Sequence, residues 1–576
     1  MDFPWSTAVL GSIAGSFVLV RLTPQYTPGA SYIGTFWVLL LLQVLAAVIW
    51  QAVLWPRLFS PLRHLPTPDG GSFFHGHFKT ISKEPTGHPH RRWFEEVPNK
   101  GLIYYKSLLN QERLTLTSHE ALREVLMTKC YDFEKPSLTR NGLGRILGVG
   151  LLLAEGDEHK RQRHALIGAF DYRHIIDLHP TFWDISRKLV DALMTVTAKK
   201  GKESEQSLSD APVVEISGWA SRATLDIIGD AGMGQDFNAI EDPNTPLNVT
   251  YRKVFQIPSA QQQILGLMSF FLPQWFVRSL PLTHNADIAK ASAGIKKVCH
   301  ELIHRKQEKL DLVKREEEGQ EKTGSKNFRD KDILTVALGS GEFSEDDLVN
   351  QMMTFLAAGH ETTASSMSWA FYLLCQHREM QTRLREEVRT HLPSIDDAST
   401  KLTASALDQC HFLKAFCNEV LRVYPVVPVT LREAAHDTTI LDQFVPKGTK
   451  VVISPWAINT ATSMWGPGAD KFDPDRWMAA GQSKTGGANS AYAYMTFLQG
   501  HRACIGMKFA MAEFACLVAA VVGRFEFEFE DPEYPSKMII KGGVTSRPKD
   551  GVHMRMRPLE GWSTFRLSRD RIGAGI

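Results

Sequence analysis

No charged residue occurs between Arg21 and Arg57. A stretch of that length without charge is poorly suited to a water-facing surface, and residues 32–55 within it read YIGTFWVLLLLQVLAAVIWQAVLW. This run exceeds the roughly 20 apolar helical residues that cross a bilayer core. Trp37, Trp50 and Trp55 suit the interfaces, where amphipathic rings are favoured. One transmembrane helix is therefore expected over about 32–55. A shorter run over about 5–20, interrupted by Gly11, Ser12, Gly15 and Ser16, is a candidate second span. A cleavable signal peptide fits less well, because the start lacks a basic stretch and a stronger apolar run follows. Arg57 and Arg63 come after the span, so the positive-inside rule puts everything beyond residue 57 on the cytoplasmic side. Pro61, Pro66 and Pro68 make residues 58–68 a stiff hinge between an anchor, 1–57, and the rest.

Residues 69–576 read as one body, mainly α with small β-sheets. Helical periodicity dominates after about residue 120, and the strand candidates are Ile103–Leu109, Leu114–Leu116, Val451–Ser454 and Phe525–Phe529. The charged segment Lys306–Asp332 reads as a solvated loop. Lys and Arg number 65 against 63 Asp and Glu, a net charge of +2, which argues against a nucleic-acid binder. Seven scattered cysteines are too few for a disulfide framework.

The strongest helical pattern begins at Ser344, which with Asp347 fits a capping box. It runs to Leu374, a length of about 45 Å, and such a helix crosses the middle of a large domain. Its centre reads Ala358-Gly359-His360-Glu361-Thr362-Thr363. An acid beside a hydroxyl in an apolar stretch needs partners. They are either a chemical task or local bonds, with Thr362 bonding back to its own turn and Glu361 paired to a distant base.

Near the C-terminus, Phe497-Leu498-Gln499-Gly500-His501-Arg502-Ala503-Cys504-Ile505-Gly506 leads into a helical run, Met507–Val522. A cysteine at a helix N-terminus is biased toward thiolate. Gly500 and Gly506 let a large flat ligand approach the backbone, Arg502 offers a planar fork to a carboxylate, and Phe497 shields the sulfur. Together these residues describe a thiolate ligand to the iron of a tetrapyrrole.

The segment matches the F-x-x-G-x-R-x-C-x-G haem-binding pattern of the cytochrome P450 superfamily at Phe497, Gly500, Arg502, Cys504 and Gly506. Ala358–Thr363 is similar to that family's central-helix pattern, and Glu419-Val420-Leu421-Arg422 to its E-x-x-R pair. Phe472–Trp477 resembles its F-x-P-E-R-F/W segment, with Asp475 where Glu is typical. The chain as a whole resembles a microsomal, fungal member from the hinge to about residue 560. The resemblance implies the cytochrome P450 fold, haem b, and Cys504 as the axial iron ligand. It also implies that Glu419, Arg422 and Arg476 form a buried network serving folding and haem retention. His159 and Arg163 stand where the family often has W-x-x-x-R, and Arg432 follows the E-x-x-R helix, so these three are expected at the haem propionates. A plain basic helix face is the competing reading for His159–Arg163.

Gly232-Met233-Gly234 is no dinucleotide fingerprint, since the third glycine and the βαβ context are missing. Electrons are then expected from a separate protein, which the resemblance implies is NADPH-cytochrome P450 reductase, with cytochrome b5 a further candidate donor. The expected activity is monooxygenation of a hydrophobic small molecule, in secondary metabolite biosynthesis, at the endoplasmic reticulum membrane. Thr362 would hold dioxygen or a water, and Glu361 would feed protons. The pocket is expected to draw on Phe355, Ala358, Thr362, Val426–Val429, Asn141–Val149, Val544 and Thr545. Two alternatives stand: a haem-thiolate isomerase or dehydratase, disfavoured by the Glu361–Thr362 pair, and a non-catalytic membrane-tethered haem protein.

Overall fold

The computed structural model describes residues 5–200, 207–254, 268, 274–280, 282–318, 332–541 and 543–562. These residues are mostly helical, with small sheets. The chain forms two compact units, each built from two stretches: 1–134 with 430–454, and 135–429 with 455–576.

The first unit begins with two helices, α1 (Trp5–Leu22) and α2 (Tyr32–Ile49). Both are long and apolar enough to cross a membrane. α2 does not stop at residue 55. It continues as a wider π-wound helix from Trp50 through Pro56 to Phe59, a local widening that suits a residue without an N–H. Its exit is fixed by hydrogen bonds as well as by prolines. The Trp55 indole donates to Glu112 Oε2 (2.8 Å), Tyr104 OH donates to Glu112 Oε1 (2.9 Å), and the Ser60 hydroxyl donates to the same carboxylate. Glu112 opens β2 (Glu112–Leu116), which pairs antiparallel with β1 (Leu102–Lys106), Leu102 opposite Leu116. Lys450–Ile453 adds parallel to β2, Thr430–Ala434 adds antiparallel to that strand, and Phe133–Glu134 closes the edge. Arg432 sits buried on this sheet, its guanidinium donating to Thr430 Oγ1 (3.2 Å) and to the Leu431 carbonyl (2.9 Å).

The second unit is organised around the helix Glu345–Gln376. Its start is the capping box expected from the sequence: Ser344 Oγ accepts from Asp347 N, and Asp347 Oδ2 accepts from Ser344 N, both at 3.2 Å. Helix Met507–Arg524 is buried without a break from Ala512 to Gly523. Phe525–Phe529 follows it directly and pairs with His553–Pro558, which pairs in turn with Val213–Glu215. Phe525, Phe527 and Phe529 face inward, while Glu526 and Glu528 alternate outward to Arg378 and Arg557. That period of two marks a half-buried strand.

The charged segment is not a plain loop. Helix Thr283–Glu318 carries its first half, and residues 319–331 lie outside the described residues. Its two ends, Lys306 and Asp332, form a buried ion pair, and Asp332 also caps the next helix by accepting from Thr335 N (2.8 Å). Charge density pointed to solvent here, but two of the charges neutralise each other inside the fold. Gly232 and Gly234 end a helix, with Gly234 in the left-handed region at φ +69°.

Candidate functional site

Between Gln351 and Cys375 every residue of the central helix is buried except Ala358, Gly359 and Thr362. These positions are one and four residues apart, so they share one face. The helix is therefore less covered along a short stripe through Ala358 and Thr362, while Gly359 lets Ile228 pack close, since a Cβ there would come within 3.0 Å of it. Thr362 Oγ1 donates to the Ala358 carbonyl (2.7 Å), the local bond anticipated from sequence, and its oxygen keeps acceptor capacity.

Glu361, 3% exposed, is held by the segment Thr545–Arg547. Thr545 Oγ1 donates to Glu361 Oε1 at 3.2 Å, and the Arg547 guanidinium lies 3.5 Å from the same oxygen. Ser546 N donates to the Val426 carbonyl (2.8 Å), and the Trp369 indole donates to the Ser546 carbonyl (3.0 Å), which docks this segment on the body. A cavity of about 440 Å³ reaches Glu361 and His360. Arg547, Arg222 and Glu215 line it, and Arg252, Lys549 and Asp550 lie at its exposed rim. Burial keeps the His360 imidazole below its usual pKa, so that side chain is neutral.

Cys504 alone of the seven cysteines is exposed. Its loop is closed by Cys504 N donating to the Phe497 carbonyl (2.8 Å). Gly500 stands at φ +78°, a conformation that favours glycine, so backbone geometry is one reason for its presence. At Gly506 a Cβ would meet only Phe170, at an ordinary 3.7 Å. Desolvation raises the pKa of the Cys504 thiol, against the smaller opposing pull of the Gly506 N–H and the positive charge of Arg163. Arg163 is tied beside the sulfur, its NH1 donating to the Ala503 carbonyl (2.8 Å). His159 is buried one turn earlier on the same helix, Gly156–Leu166. Gln162 links that helix to the central one, accepting from Gln351 Nε2 (2.8 Å).

Arg502 is buried, ion-paired to Glu155 and donating to the Ala154 carbonyl (3.1 Å). Nothing in the sequence patterns singled out Glu155. The fork of Arg502, read from sequence as a partner for a carboxylate of the tetrapyrrole, is here paired with the protein's own Glu155.

Glu419 and Arg422 are fully buried and joined by two bonds, of 2.7 and 2.8 Å. Arg476 Nε donates to Glu419 Oε1 (3.1 Å), which completes the expected triad. The structure adds a fourth member that the sequence reading did not single out: the Trp477 indole donates to Glu419 Oε2 at 2.9 Å. Asp475, in the motif position where Glu is typical, turns to the surface and pairs with Arg383.

The description "Cytochrome P450" is carried by the family model that matches residues 66–554. The chain belongs to the cytochrome P450 family. This P450 is similar to several curated fungal relatives over nearly its whole length. It is 40% identical to cytochrome P450 monooxygenase sphH of Aspergillus fumigatus, across 94% of this chain and 97% of that protein. It is likewise 40% identical to cytochrome P450 monooxygenase FUM15 of Gibberella moniliformis, across 90% and 91%. With cytochrome P450 monooxygenase buaD of Petromyces alliaceus it shares 36% identity, across 96% and 99%. It is a monooxygenase of the haem-dependent kind. The donor set fits that cofactor: the one exposed cysteine, with a backbone N–H and an arginine acting on its sulfur, and a less covered stretch at Ala358 and Thr362 on an otherwise buried helix.

Proposed function

We propose that this P450 inserts one atom of dioxygen into a C–H or C=C bond of a hydrophobic small molecule of fungal secondary metabolism, with electrons from NADPH-cytochrome P450 reductase. Residues 1–57 anchor it to the endoplasmic reticulum membrane, 58–68 form the connection, and 69–576 are the catalytic domain on the cytoplasmic side. The observation that carries the reading is Cys504, the one exposed cysteine, set beside the Arg163 guanidinium and the Gly506 N–H.

Cys504 would hold haem b, which would supply dioxygen activation supported by the thiolate. The remaining work belongs to side chains. Arg163 and the Gly506 N–H stabilise the anionic form of the sulfur. His159 and Arg163 would offer donors to the propionates. Ala358 leaves room beside the central helix, and Thr362 Oγ1 presents its lone pairs one turn further along the same face. Glu361 stands at the inner end of the polar cavity, so protons from solvent reach its carboxylate without passing through an apolar substrate pocket. Arg547 and Thr545 hold that carboxylate in place between transfers.

Replacing Cys504 with Ser tests the reading directly. The reduced carbon-monoxide complex is expected to lose its thiolate-type spectrum, and an unchanged spectrum overturns the ligand assignment. Turnover that needs the reductase separates a monooxygenase from an isomerase or dehydratase, which needs no electron supply.

A further inference from the structure

The apolar N-terminal region folds as a matched pair of helices. α1 and the α-helical part of α2 each contain 18 residues, about 27 Å of helix against the roughly 30 Å of a bilayer core. They run antiparallel: Ser12 meets Gln43, Gly15 meets Leu39, and Phe17 meets Tyr32, with ring centroids 4.9 Å apart. The contact is specific. Gln43 Nε2 donates to Ser12 Oγ at 3.0 Å near the middle of both helices, and a Cβ on Gly15 would come within 2.9 Å of the Leu39 side chain. The hydroxyls of Ser16 and Thr35 bond to their own helices, at 2.8 Å each. In hydrocarbon each polar group has to find its partner within the protein, and small residues let two helices approach closely. The outward faces carry Leu10, Phe17, Val18, Leu41, Leu42 and Leu45, all exposed. Aromatic rings mark both ends of the pair: Trp5 and Trp50 at one, Tyr26 and Tyr32 at the other. Such belts lie at bilayer interfaces.

We infer that α1 is a second lipid-facing span crossing the bilayer beside α2, so that residues preceding Trp5 emerge on the same side as everything after Phe59. A single-span anchor places them on opposite sides. The inference rests on the membrane reading above, and the experiment separates the two. The full chain is expressed in a eukaryotic host in two forms, one with a sequon-bearing tag ahead of Met1 and one with a sequon-bearing polar loop inserted at Gly29. Glycosylation of the inserted loop alone is the expected result, with protease removing the tag from sealed microsomes. Modification of both the tag and the loop overturns the second span. Modification of neither, in a chain that resists carbonate extraction, overturns it too, because the loop then has not crossed. Modification of the tag but not the loop upholds the paired spans and overturns the cytoplasmic orientation. Release by carbonate overturns the anchor itself and the second span with it.

Discussion

Asn459 donates its side-chain amide to Thr496 Oγ1 at 2.8 Å, one residue before Phe497 opens the cysteine loop. The same amide donates to the Arg422 carbonyl (3.1 Å), and Asn459 Oδ1 accepts from Met495 N (2.7 Å). Thr496 Oγ1 passes its own proton to the Leu421 carbonyl (2.7 Å), so the helix bearing Glu419 and Arg422 grips the cysteine loop through one fully buried side chain. Replacing Asn459 with Leu leaves these buried groups without partners, at about 1–3 kcal/mol for each unsatisfied group. Haem retention and thermal stability are expected to fall together. The check is a thermal melt followed at once by haem absorbance and by far-UV circular dichroism.

Glu419→Gln tests the network from its centre. Glu419 faces both Arg422 and Arg476, so the change leaves buried cations without a counter-charge, a loss of about 3–5 kcal/mol. The exposed pair Asp475–Arg383 serves as the contrast. Asp475→Ala should cost no more than about 1 kcal/mol. Urea unfolding of the two variants under one set of conditions measures the difference.

What could be read ahead of the structure follows how local each signal is. The capping box at Ser344 and Asp347, the alternation of Phe525–Phe529 and the glycine-bracketed Cys504 each lie within a dozen residues. Short-range chemistry dictated them, and the structure has the box and the strand as read. Glu419 and Arg422 lie in sequence among Phe412, Leu413, Phe416, Val420 and Leu421, and that apolar setting is itself a local mark of burial. Arg547 carries no such mark. It reaches Glu361 only because the C-terminal segment folds back across the central helix, and no pattern near residue 547 encodes that. Lys306 and Asp332 failed for the converse reason, since their local surroundings are highly charged and only tertiary packing buries the pair.

Arg547→Gln addresses proton supply. With the cation gone, Glu361 keeps only the Thr545 hydroxyl, and its carboxylate is no longer held at the head of the cavity. The variant is expected to retain haem and the thiolate-type spectrum while releasing more peroxide per NADPH consumed. Glu361→Gln removes the acid itself, a step worth about 100-fold or more in proton-transfer catalysis. If the two residues act as a unit, adding Arg547→Gln to Glu361→Gln changes nothing further. Peroxide and product yields per NADPH across the four-member cycle decide this, and additive losses would mean that Arg547 acts independently of Glu361. Thr362→Ala, on the same stretch of helix, should also uncouple turnover.

Glu513 is a buried acid that catalysis leaves unused. It lies on the helix following Cys504 and accepts from Thr363 Oγ1 at 2.9 Å, which fastens that helix to the central one next to Thr362. Burial raises its pKa well above the usual carboxylate value, more than the Thr363 bond lowers it. The folded protein therefore keeps this proton at pH values where the unfolded chain, with a glutamate pKa of about 4.3, has released it. Folded-state pKa above unfolded-state pKa means that stability is full below about pH 4 and falls as pH rises toward the folded value. Glu513→Gln replaces the neutral acid with a neutral isostere that still accepts from Thr363 and does not titrate. The variant is expected to unfold at higher urea than wild type at pH 7, by about 1.4 kcal/mol for each unit by which the folded pKa exceeds the unfolded one, up to pH 7. The advantage should shrink to nothing near pH 4. Urea midpoints measured across that range for both proteins test the sign, and a variant less stable than wild type at pH 7 would mean that Glu513 is held as a carboxylate.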